Sequence, residues 1–209
     1  RVQLPEGPAL TAAGLTPVIG MEGYLTPGSR FDRPPRRDDV RYHITLLAVS
    51  QEGYANLVKL ASAAFLEGFY YKPRMDHELL ARHSAGLVAT TGCLGGHVPQ
   101  LLAPDASGEE GNVGVRRDYA AAREAAAMYQ DIFGKDSFFV EVMDHGVEAQ
   151  RRVLPDLLQI SRDIGADVKT VQSYFEILED TLLGVSLEPF HRSLRRRQRK
   201  NPKFYFFDA

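Results

Sequence analysis

Short apolar runs ending at glycines alternate with helical stripes along most of this chain. Residues Thr16 to Leu25 are apolar and partly β-branched and close at Gly20 and Gly23, the pattern of a buried strand. Tyr42 to Val49 reads as a second strand, Leu87 to Thr91 as a short third one ending at Gly92, and Phe138 to Met143 as a fourth. Helical signals fall between them. Ser50 has the position of an N-cap, with Gln51 and Glu52 in the first turn. The helix that follows runs to about Leu66, with Tyr54, Leu57, Val58, Leu60, Ala61 and Ala64 as its apolar stripe. Asp76 caps a short helix over His77 to His83, and the Ala-rich stretch from Asp118 to Phe133 is stopped by Gly134. Thr26 to Asp39, rich in Pro, Gly, Arg and Asp, and the polar stretch from Ala103 to Asn112 read as loops. From Val147 onward the pattern is helical again. Strand and helix in alternation predict an α/β fold with a largely parallel sheet.

The pattern changes near residue 157. Leu157 to Leu178 predicts two helices about a turn at Gly165–Asp167, a helix-turn-helix form with Ile160, Ile164, Val171, Tyr174, Phe175 and Leu178 as shared core. Leu182 to Leu187 and Lys203 to Phe207 read as strands after it. Two regions are therefore expected, 1–156 and a tail over 157–209.

Composition narrows the class. With 209 residues, 44% of them apolar and 25% charged, the chain is an ordinary globular protein of one or two domains. No apolar run reaches the roughly 18 residues that a membrane span needs, so no membrane partner is expected. Cys93 is the only cysteine, which excludes an internal disulfide, fits a reducing cytoplasm and leaves no disulfide-linked partner expected. The net charge of −2 is uninformative, but its distribution is not. Pro189 to Lys203 carries seven basic residues and no acid, and Arg195, Arg196 and Arg197 stand together in it. Beside a helix-turn-helix whose second helix offers Lys169, Thr170 and Gln172, such a run suits phosphate-backbone contact; a solvated basic loop is the plainer reading. The chain starts at Arg1 without a methionine, directly in domain-like sequence, and is expected to be a piece of a longer protein.

Three side chains hold the candidate chemistry. Glu22, His43 and Cys93 each lie at or just past the end of an apolar, strand-like run, where barrel enzymes gather their functional groups. A carboxylate, an imidazole and a thiolate together suit zinc or a similar divalent ion. Taken singly, each has a plain alternative: a strand-end carboxylate facing water, a hydrogen-bonded core histidine, a small buried hydrophobe. Gly92, Gly95 and Gly96 around the cysteine predict a tight turn with close backbone approach. The remaining histidines show no ligand spacing, and His77 and His83 are expected on an exposed helix.

The segments Gly14 to Phe31, Tyr42 to Leu57, Gly68 to Asp76, Gly86 to Cys93 and Glu141 to Gly146, in this order, resemble the PHP (polymerase and histidinol phosphatase) domain of bacterial DNA polymerase III alpha subunits. The resemblance covers about Leu10 to Leu158. It implies a partial, distorted β/α barrel that lacks its first and last strands here. It implies metal-ligand roles for Glu22, His43 and Cys93, with zinc or manganese as the cofactor, and it implies DNA and other replisome subunits as partners in a cytoplasmic setting. The family's opening His-x-His pair and closing Asp-x-His pair are not found in this sequence, so about three of nine ligands are present and little or no activity is expected of the chain alone. If the resemblance holds, the three tips should lie on one sheet edge, at the carboxyl ends of their strands, within roughly 10 Å of one another.

Asp167 to Gly184 and Asn201 to Asp208 resemble instead the winged-helix and following segment of a C-terminal domain of unknown function attached to certain P-loop ATPases. No Gly-x-x-x-x-Gly-Lys-[Ser/Thr] motif accompanies it. The chain is thus expected to join two pieces near residues 150–160, by natural fusion, recombination or artefact. Two further functional readings follow: a nucleic-acid-binding or interaction module working through the tail, and a non-functional fusion product.

Overall fold

The structure, a computed structural model, describes residues 18–104, 117–144 and 146–165, and the backbone of 184–187 and 203–206. The residues divide between two compact units, Val18–Val168 and a second that contains the last two strands.

In the first unit, β1 (Ile19–Leu25) and β2 (Tyr42–Ala48) form the centre of a five-stranded sheet with β3 (Arg74–Met75), β4 (Leu87–Thr90) and β5 (Phe138–Phe139). The strand order is β3-β1-β2-β4-β5. The sheet is mixed rather than largely parallel. β1 pairs with β3 and β4 with β5 in parallel, but β2 runs antiparallel to both β1 and β4. The reason is local: a loop with a single 3-10 turn, Arg36–Asp38, joins β1 to β2. With no crossover helix between them, the second strand returns alongside the first in the opposite direction.

The helices are α1 (Gln51–Leu66), α2 (His77–Arg82), α3 (His97–Leu102), α4 (Tyr119–Phe133) and α5 (Glu148–Asp163). The N-caps expected at Ser50 and Asp76 and the stop expected at Gly134 are present, and Asp118 caps α4 as well. Ser50 Oγ accepts from Gly53 N–H, Asp76 from Leu79 N–H and Asp118 from Ala121 N–H, and Gly134 ends α4 at φ +91°. Leu57, Leu60 and Ala64 of α1 are buried as expected, whereas Val58 is exposed. β3 and α3 are not anticipated by the pattern; two residues of ladder and six of helix are too short to show a period.

Alternation along the strands sorts the sheet into two faces. Leu25, Ile44, Leu46, Leu87, Ala89 and Phe138 share one face and are buried with Leu57, Leu60, Ala126 and Tyr129 of the helices in a single core. The opposite face carries Glu22, Tyr24, His43, Thr45 and Thr90.

The division expected at 156/157 falls inside α5. Val153, Leu157 and Ile160 are buried together in the main core, and Ile164 packs against it. Leu157 to Asp163 therefore continue one helix from Glu148. The second helix expected after Gly165, with Lys169, Thr170 and Gln172, lies outside the described residues, as do Arg195, Arg196 and Arg197. In the second unit, β6 (Gly184–Leu187) and β7 (Lys203–Phe206) form an antiparallel pair, matching the two strands read from sequence there.

The loop from Thr26 to Asp39 is less solvated than its composition suggests. Arg30 and Asp39 are buried within it. Arg30 donates to both carboxylate oxygens of Asp76 and to Glu67, and Asp39 receives the buried guanidinium of Arg74 at 2.9 Å. Burial alone would raise the Asp76 carboxyl, but the N–H groups of Arg30 and Leu79 and the Arg30 side chain hold it below its ordinary value.

Candidate metal centre

The face of the sheet away from the core brings Glu22, His43 and Cys93 together. Tyr24 stands directly opposite His43 in the β1–β2 ladder and Glu22 opposite Thr45, so Glu22 and His43 are diagonal neighbours on one face. Cys93 arrives from the end of β4. One donor atom from each of the three residues lies within 4.8 Å of the others. Glu22 Oε1 is 2.6 Å from His43 Nδ1, and Cys93 Sγ is 3.3 Å from the same nitrogen.

The strand positions differ from expectation. Glu22 is the fourth residue of seven in β1, not at its end, and His43 is the second residue of β2. Only Cys93 lies past a carboxyl end. The antiparallel course of β2 explains why the three still meet: it brings the amino end of β2 to the carboxyl ends of its neighbours.

The turn after β4 is shaped to present the thiol. Gly92 takes φ +71°, a left-handed conformation that side chains rarely adopt. Gly95 packs so closely on His43 that a Cβ there would lie 2.9 Å from Nδ1. His43 N–H donates to Gly95 O at 2.8 Å, and Gln100 Nε2 braces the same carbonyl at 2.9 Å. The His43 ring also meets Tyr24 edge to face, with centroids 5.2 Å apart. These contacts fix the imidazole before any ligand arrives.

Electrostatics favour the metal-competent form of the thiol. The hydrogen bond with His43 is the largest cause, and it draws the Cys93 thiol below its ordinary value. Burial opposes it, Gly95 N–H adds to it, and the Glu22 carboxylate works against it. The Glu22 side chain is 60% exposed, so the cluster opens to solvent on that side.

The donor set fits a divalent ion. A proton on Nδ1 would have to be shared between a carboxylate and a sulfur. A cation instead accepts an electron pair from each of the three atoms, which is how mixed carboxylate, imidazole and thiolate sites bind zinc.

His77 and His83 are half-buried rather than on an exposed helix face. The His77 ring packs against His97 and Tyr129, with centroids 6.2 and 5.7 Å away. His97 Nδ1 lies 3.2 Å from Tyr129 Oη, and the His97 ring stacks on Tyr42 at 4.1 Å. Burial, aided by the charge of His77, pushes the His97 pKa down to about 4. Sequence spacing could not reveal this cluster, because its members come from β2, α2, α3 and α4. His145 lies outside the described residues.

Comparison with known proteins bears on what such a centre belongs to. The chain is 36% identical to the DNA polymerase III subunit alpha of Treponema pallidum, over 93% of this chain and 16% of that protein. It is 44% identical to the corresponding subunit of Thermus aquaticus over 74% of this chain and 12% of that protein, and 42% identical to that of Deinococcus radiodurans over 71% and 10%. The chain therefore spans less than a fifth of the length of these relatives. The Treponema match covers too much of the chain to stop at residue 158, so it reaches into the tail that the sequence reading set apart from the polymerase. Residues 152–209 match a profile described as a domain of unknown function (DUF8612), which bears no ATPase assignment. Residues 8–145 match the profile of the PHP domain. That stretch holds Glu22, His43 and Cys93 and spans well over half of the sequence, and so the chain belongs to the PHP domain family.

Proposed function

We propose that this chain forms part of the PHP domain of a replicative DNA polymerase III alpha subunit, and that Glu22, His43 and Cys93 hold a divalent metal ion in it. The observation that carries the reading is the convergence of Glu22 Oε1 and Cys93 Sγ on a single ring nitrogen, His43 Nδ1. An ion bound there would supply Lewis-acid chemistry toward a phosphoryl group. The chain's own residues prepare the place. Tyr24 and Gly95 orient the imidazole, the Gly92 turn aims the thiolate, and the exposed Glu22 leaves an open approach. The thiolate favours zinc over manganese. DNA as substrate, replisome subunits as partners and a cytoplasmic setting follow from the relatives' identity and belong to the same proposal; no helix among the described residues is long and apolar enough to cross a membrane.

Three donors do not assemble a multinuclear hydrolytic centre, so the chain by itself is expected to bind metal without turnover. Zinc and manganese binding by the full chain tests the site. Zinc should bind more tightly than manganese, and Glu22→Ala, His43→Ala and Cys93→Ser should each weaken it by tenfold or more, on the order seen for losses around metal sites. Unchanged affinity in all three variants would end the reading. Hydrolysis of a model phosphodiester or of single-stranded DNA with either metal should not exceed that of Glu22→Ala; turnover lost in that variant would show that the remaining ligands come from elsewhere.

A further inference from the structure

We propose that Glu141 is a positioning residue for Cys93, acting through the hydroxyl of Thr90. The inference rests on the metal-site reading above and extends it to a residue that holds no metal itself. Glu141 stands outside the group of donor atoms that lie within 4.8 Å of one another. It borders, with Gly92, Cys93 and Leu94, a small cavity otherwise lined largely by apolar side chains such as Val153 and Leu157. Placing a carboxylate against such a wall costs free energy unless a hydrogen bond compensates it.

The compensating bond runs to the turn that presents the thiol. Thr90 Oγ1 donates to Glu141 Oε2 at 2.5 Å. With its proton committed to the carboxylate, the same oxygen offers a lone pair to Gly92 N–H, which donates to it at 3.2 Å. Glu141 also secures the neighbouring threonine: its backbone N–H donates to Thr91 Oγ1 at 2.9 Å, while Thr91 N–H donates to Phe139 O at 3.1 Å. One residue thus ties both threonines that lead into Gly92. The left-handed Gly92 is where the chain turns, and the next residue places Sγ 3.3 Å from His43 Nδ1. Losing the acceptor on Glu141 frees the Thr90 hydroxyl to rotate, releases Gly92 N–H, and lets the Cys93 side chain drift from the imidazole.

What matters in this arrangement is an acceptor oxygen at position 141, not a charge. Glu141→Gln keeps that oxygen, Glu141→Ala removes it, Thr90→Val removes the hydroxyl and Thr90→Ser keeps it. Two measurements on the full chain decide the matter. Zinc affinity, read by competition with a chromophoric chelator, should fall tenfold or more in Glu141→Ala and Thr90→Val and stay within about threefold of wild type in Glu141→Gln and Thr90→Ser. In the metal-free protein, the midpoint of the pH profile for Cys93 alkylation should rise in the first two variants and hold in the last two. Melting curves show which variants fold; should Glu141→Ala fail, the Thr90→Val and Thr90→Ser pair decides alone.

Unchanged affinity and midpoint in Glu141→Ala would overturn the proposal. So would a Gln variant as impaired as the Ala one, which would mean that charge rather than geometry matters. If wild type binds no zinc, the metal reading falls, and the alkylation profile alone then supports or refutes the positioning role.

Discussion

Glu22 Oε1 lies 2.6 Å from His43 Nδ1 across the antiparallel β1–β2 pair, although neither residue faces the other directly in the ladder. The diagonal contact depends on an imidazole held in one orientation. Gly95 provides that hold, since its backbone sits against the ring.

Gly95→Ala is therefore expected to displace the imidazole. A Cβ at this position would lie 2.9 Å from Nδ1 and 3.1 Å from Cγ. Zinc affinity should drop by about tenfold or more, as for the loss of an orienting contact at a metal site. Far-ultraviolet circular dichroism should be unchanged, because no strand or helix hydrogen bond is broken. Affinity equal to wild type would show that the ring tolerates the shift.

A second expectation concerns the buried pair of Arg74 and Asp39. Their side chains are 0% and 1% exposed, with Nη1 and Oδ1 2.9 Å apart. The Arg74 guanidinium also donates to the carbonyls of Asp32 and Gly68, so it closes the long β1–β2 loop onto β3. Arg74→Met should destabilise the fold by about 3 kcal/mol, because it leaves the buried Asp39 carboxylate to the more distant Arg41 guanidinium, whose Nε lies 3.8 Å from Oδ2. Arg74→Lys should rescue little of this, since an ammonium cannot reproduce the planar fork. Urea denaturation of the two variants provides the comparison.

Acid should unfold the protein partly through His97. Burial among Tyr42, His77 and Tyr129 lowers its pKa to about 4, below the ordinary value of 6.5 that the unfolded chain would show. The unfolded state then binds the proton more readily. Stability from this residue is complete above pH 6.5 and is lost as pH falls from there toward 4. Each unit of depression corresponds to about 1.4 kcal/mol. His77, lowered chiefly by burial, adds in the same direction. Melting temperature against pH should fall less steeply over this window for His97→Gln than for wild type; parallel curves would exclude His97 as a contributor.

The tail carries the last expectation. The basic run containing Arg195, Arg196 and Arg197 lies outside the described residues, and the expectation from its sequence is that it does not read DNA. Titration of labelled duplex DNA against the full chain at two salt concentrations should give no saturable, salt-sensitive binding that depends on these residues. Binding that weakens in Arg195→Ala/Arg196→Ala, with a log–log salt slope near 0.9 for each phosphate neutralised, would establish the opposite reading.

The sequence by itself determined whatever depends on neighbours in the chain. Ser50, Asp76 and Asp118 are caps because a short polar side chain there reaches an N–H group three residues on. Gly134 stops α4 because only glycine takes its φ of +91° without strain. The tight turn about Cys93 was legible in its glycines, and the family resemblance singled out Glu22, His43 and Cys93, whose donor atoms the structure brings within 4.8 Å of one another. Tertiary structure decided the rest. Strand direction is not written in an apolar run: the alternation of strand and helix predicted a largely parallel sheet and the family resemblance placed His43 at the carboxyl end of its strand, whereas β2 runs antiparallel to its neighbours with His43 near its amino end. Composition marked the β1–β2 segment as a loop, but it could not show that Arg30 and Asp39 are buried there against Asp76 and Arg74, which lie 46 and 35 residues away. The same distance in sequence hides the His77, His97 and Tyr129 cluster and the bond from Thr90 to Glu141. Burial and pairing across such separations follow from how the sheet and helices close on one another, and no local pattern encodes them.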